Sequence, residues 1–67
     1  MSNELTREEK VLLVESKIRT CTTMQESMET YALEETDLET AQGYRDKVED
    51  YKNIINVLKV FKETMVE

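Results

Sequence analysis

The residue type here best suited to act as a nucleophile is Cys21, the only cysteine, set in the run Thr20-Cys21-Thr22-Thr23. A thiol attacks as its thiolate and needs a base or a cationic neighbour to form it. Histidine, the commonest general base, is absent. Cys21 also falls between Ile18 and Met24 on an apolar repeat, where it reads as a small buried hydrophobe. Tyr31, Tyr44 and Tyr51 lie on or near similar repeats and read as packing residues. With one glycine, Gly43, the chain has no glycine-rich phosphate loop. Hydrolysis and group transfer need a nucleophile, a base and a supported pocket, so the sequence reads as non-enzymatic.

Metal chemistry fares no better. Zinc wants Cys and His ligands, and the acids lack the D-x-D-x-D-G spacing of a calcium loop. We expect neither a metal nor a cofactor. The acids read better as a surface. The nine bases are Arg7, Lys10, Lys17, Arg19, Arg45, Lys47, Lys52, Lys59 and Lys62, and none lies between Thr20 and Tyr44. That segment holds Glu26, Glu29, Glu34, Glu35, Asp37 and Glu39, while the remaining nine acids balance the nine bases. The net charge of −6 thus belongs to the middle third of the chain.

Two readings of that segment compete. In one, the acids simply solvate a turn. In the other, Glu34, Glu35, Asp37 and Glu39 form a docking surface for a basic protein, with long-range attraction speeding association. Asp37 and Glu39 suit a helix N-terminus, whereas Glu34 and Glu35 would sit at a C-terminus, which disfavours negative charge. Nucleic acid fits poorly, because the net charge opposes phosphate. The local bases Arg45, Lys47, Lys52 and Lys59 alternate with Asp46, Glu49, Asp50 and Glu63, with which we expect them to pair at helical spacing.

Few residues here interrupt a helix: there is no proline, and 36% of residues are charged. Val11, Val14, Ile18, Cys21, Met28 and Ala32 recur at intervals of three and four, with Gln25 in the one polar slot. That is a heptad seam, widened by Leu13, Met24 and Tyr31. Ala41, Tyr44, Val48, Tyr51, Ile55 and Leu58 form a second seam, extended by Ile54, Phe61 and Met65. Each apolar arc covers roughly 160°, wider than the ~100° that one neighbour needs. Leu12, Val57 and Val60 fall outside both arcs.

Between the seams the period slips, since continuing the first would bury Glu35 and Glu39. Thr6-x-x-Glu9 and Thr36-x-x-Glu39 are both capping boxes. They predict an all-α antiparallel hairpin spanning 1–67: a helix over about 6–33, a turn over about 34–37 and a helix over about 37–65. Two alternatives stay open. The β-branched run Thr20 to Thr23, with Thr23-x-x-Glu26 as a third box, allows a break and a three-helix form. The absence of glycine or proline at the turn allows one long helix.

A core this small rarely supplies more than ~3–5 kcal/mol, so the hairpin is expected to self-associate into a four-helix bundle. The expected core and interface residues are Val11, Val14, Ile18, Cys21, Met28, Val48, Tyr51, Ile54, Ile55, Leu58 and Phe61. No signal peptide or membrane-length apolar run is visible, and the lone cysteine fits a reducing compartment. The expectation is a cytoplasmic homodimer that binds a larger protein with a basic surface, with inhibition of that protein as one outcome, as small acidic phage or mobile-element proteins do. The alternatives are a structural subunit with no other ligand, and a small bundle holding RNA, a nucleotide or another anion.

Overall fold

The computed structural model describes residues 4–66. Two helices, α1 (Arg7–Glu34) and α2 (Leu38–Val66), pack antiparallel as a hairpin. Helix α1 starts as its sequence dictates. The Thr6 backbone is extended, its N–H donates to Glu9 Oε1 at 3.0 Å, and Glu9 N–H donates to Thr6 Oγ1 at 3.1 Å. Two of the backbone donors that every helix start leaves unpaired are thereby satisfied. Those bonds, led by the Thr6 backbone N–H, hold the Glu9 carboxyl below its usual 4.5.

No break occurs at Thr20–Thr23, where the three-helix alternative placed one. Thr20, Thr22 and Thr23 each donate a hydroxyl hydrogen bond to the carbonyl four residues back, on Ser16, Ile18 and Arg19. Inside a helix the backbone N–H groups are already committed, so the hydroxyls turn to carbonyls instead of capping. Thr23-x-x-Glu26 is therefore not a cap.

The turn differs from the sequence expectation by one residue. Thr36 caps nothing. Asp37 does: its Oδ1 accepts from the N–H groups of Glu39 at 3.0 Å and Thr40 at 3.4 Å, and its carbonyl accepts the first helical bond, from Ala41. A carboxylate matches or exceeds a threonine hydroxyl as an N-cap and also meets the positive end of the helix. The α1 end needs no left-handed residue, because Glu35 is extended (φ −77°, ψ 127°) and its N–H still reaches Tyr31 O. Thus the chain reverses here without glycine or proline.

Across the hairpin the two seams meet. Val14, Ala32, Ala41, Val48 and Ile55 are buried, and Val11, Ile18, Cys21, Met28, Tyr44, Tyr51, Leu58 and Met65 are half-buried. Small residues sit where the helices first converge, Ala32 and Ala41 nearest the turn. Tyr31 and Tyr44 stack above them, tilted by 50° with ring centroids 5.6 Å apart. Gln25, the polar residue in the α1 seam, is half-buried and donates to Glu29 Oε1 at 2.8 Å. At the open end Lys62 occupies a seam position of α2 and reaches Glu15 at 3.2 Å. Ile54 and Phe61, expected in the core or interface, remain exposed outside this seam.

Candidate interaction surfaces

The hairpin is a slab one helix thick, 54 × 22 × 13 Å. Its two broad faces follow from helical geometry. With Val11 and Ala41 as position a, each seam occupies a and d, and c and g line one flank while b and e line the other. Antiparallel pairing brings like flanks together, g beside g and e beside e.

The e flank is charged and internally matched. Glu15 and Glu29 of α1 lie across the seam from Lys59 and Arg45 of α2. Shallow grooves run along it, one between Glu15, Lys59, Lys62 and Glu63, the other between Glu29, Arg45, Glu49 and Lys52. The grooves mix bases with carboxylates, Glu15 and Glu63 in one and Glu29 and Glu49 in the other. The pairing differs from the intrahelical pattern expected of α2. Among the described residues the ion pair lies between helices, Lys62 with Glu15, while Asp46 accepts from Gln42 and Arg45 donates to Gln42. Exposed pairs along one helix are worth only a few tenths of a kcal/mol, too little to hold the long side chains together.

The g flank carries an apolar patch, with Lys10, Lys17 and Lys47 also at its g positions. Leu13, Met24 and Tyr31 of α1 join Ile54, Val57 and Phe61 of α2 on this face. Leu13 is 53% exposed, Ile54 46%, Val57 68% and Phe61 54%. Val57, outside the apolar arc by sequence, belongs to this patch once the helices are paired. Four of the six, Leu13, Ile54, Val57 and Phe61, crowd the open half of the slab, far from the turn.

The whole molecule exposes 5492 Å². A compact protein of 7.9 kDa exposes about 4,400 Å². The radius of gyration, 15.7 Å, likewise exceeds the ~11 Å of a compact domain of this length. Two helices cannot enclose what they carry.

At the turn, the four acids proposed as a docking surface come together but do different work. Asp37 is the N-cap of α2, and Glu35 accepts from the Asp37 N–H through Oε1 at 3.1 Å. The side chains of Glu34 and Glu39 take no part in these bonds, and both residues are exposed. Cys21 is a half-buried thiol on the seam. No helix among the described residues is long and apolar enough to cross a membrane. The chain matches no protein-family model, no curated protein and no solved structure.

Proposed function

We propose that this protein is a non-enzymatic interaction module, a helical hairpin that works by having protein packed on its apolar flank and a basic protein surface steered to its acidic turn. The carrying observation is the exposed apolar patch of Leu13, Ile54, Val57 and Phe61 on one face of the slab. Exposed apolar patches of this kind, rimmed by polar residues, are typical of protein contact sites. The concentration of negative charge at the turn adds a long-range attraction, screened by salt.

Capture by the tagged protein tests this reading. The double substitution Glu34→Lys and Glu39→Lys leaves the Asp37 cap in place, and helical content is checked first. Wild type should retain a specific protein whose binding weakens between about 0.05 and 0.5 M salt, as the Debye length falls well below ~10 Å. The double variant should lose it. Unchanged capture and salt response would reduce the acidic end to a solvated turn. Absence of any specific protein partner would refute the module itself.

A further inference from the structure

We infer that the apolar flank is the seat of a second copy of this chain, packed face to face with its turn at the opposite end of the assembly. This rests on the interaction-module reading and names one occupant for that face. Three observations point to it.

The first is area. The slab exposes on the order of 1,000 Å² more than a compact chain of its mass. A standard interface removes about 800 Å² from each partner. The deficit of burial is therefore the size of one protein contact, and the 54 × 22 Å face is large enough to provide it.

The second is symmetry of the patch. On α2, Ile54 and Phe61 lie one heptad apart with Val57 between them. A two-fold axis crossing the face near Val57 places Phe61 against Ile54 of the second copy and Val57 against its own counterpart. Leu13 of each copy flanks that cluster from α1. An isologous contact needs such a self-complementary row.

The third is charge, and it selects the orientation. The half of the chain that forms the turn end, residues 21–52, carries Glu26, Glu29, Glu34, Glu35, Asp37, Glu39, Asp46, Glu49 and Asp50 against Arg45, Lys47 and Lys52. Acids and bases are equal in number over the open half, so the net −6 of the chain lies entirely at the turn end. A parallel dimer would set two such ends side by side within about one Debye length. The opposed arrangement joins the neutral, apolar halves and holds the acidic ends far apart, each free to meet a basic partner.

Sedimentation equilibrium from about 1 to 100 μM should show a monomer–dimer equilibrium. In a Cys21→Ser background, spin labels at Thr36→Cys report the separation of the two turns. The opposed dimer puts them beyond about 40 Å, and a parallel one within about 20 Å. Val57→Glu and Phe61→Glu, both at exposed positions, should weaken dimerisation at least tenfold while helical content stays at the monomer level. A monomer throughout the range overturns the inference but leaves the module reading intact, with a different protein on the flank. A short turn-to-turn distance overturns the orientation, and undiminished dimerisation of both glutamate variants overturns the choice of face. The wild-type sedimentation and distance measurements stand whether or not either variant folds.

Discussion

Replacing Asp37 with alanine should destabilise the hairpin more than any other change at the turn. Its carboxylate accepts from two backbone N–H groups of α2, at 3.0 and 3.4 Å. Losing an N-cap acceptor costs about 1 kcal/mol, and removing a negative charge from the positive helix end adds roughly 0.3–1 kcal/mol. Together these come to ~1.5 kcal/mol, a large share of the ~3–5 kcal/mol available to a core of this size. In a domain of this length that corresponds to a fall in Tm of roughly 6–12 °C. Asp37→Asn keeps an acceptor and loses the charge, so it should give up only the smaller part. Thr36→Ala, at an exposed residue one position earlier, should stay within about 0.5 kcal/mol. Urea and thermal unfolding followed by circular dichroism, at one fixed protein concentration, measure all three variants. If Thr36→Ala proves as damaging as Asp37→Ala, helix α2 starts from the T-x-x-E box and the account of the turn given above is wrong.

Glu9 has a carboxyl pKa held below 4.5 by its bonds to Thr6. A lowered folded value means that its contribution is present above about pH 4.5 and disappears as pH falls through the folded pKa. Urea midpoints between pH 3 and 6 should show this loss in wild type and a shallower one in Glu9→Gln, whose amide retains the cap without titrating; identical profiles would exclude the effect. Gly43 lies inside α2 with nothing within 4 Å of where a Cβ would be, so Gly43→Ala should raise stability by up to ~1 kcal/mol, read as a higher Tm. Ile55 is buried at mid-seam, and Ile55→Asp should abolish cooperative unfolding by placing an unpaired charge there. Leu33→Ser, at a residue 89% exposed, should leave the urea midpoint nearly unchanged.

Local signals in the chain carried much of the fold. The three-and-four spacing of Val11, Val14, Ile18 and Cys21, and of Val48, Tyr51, Ile55 and Leu58, was enough to identify two helices and the side each would bury. The Thr6-x-x-Glu9 box marked where α1 begins, because every partner in that cap lies within four residues. Reversal near residue 35 was legible from the slip in apolar period. The turn was less so in detail. Thr36 and Asp37 are adjacent, both able to cap, and their difference is a matter of which carboxylate or hydroxyl the extended backbone at Glu35 aims at the first N–H groups. Thr20 to Thr23 misled in the other direction, since β-branching lowers helix propensity only slightly and packing on both sides outweighs it.

Charge and composition alone located the acids and showed that no histidine-based chemistry was available. They were silent on faces. Leu13 and Phe61 are 48 positions apart in the chain, and no window of sequence displays them as neighbours. They share a surface because antiparallel pairing sets g against g and e against e, so that flanks apolar on each helix reinforce one another on one side of the slab. By the same pairing, Glu15 and Glu29 of α1 come beside Lys59 and Arg45 of α2 on the other. Spacing along each helix dictated what would be buried within the hairpin; the direction in which the helices met dictated what was left over, and on which face.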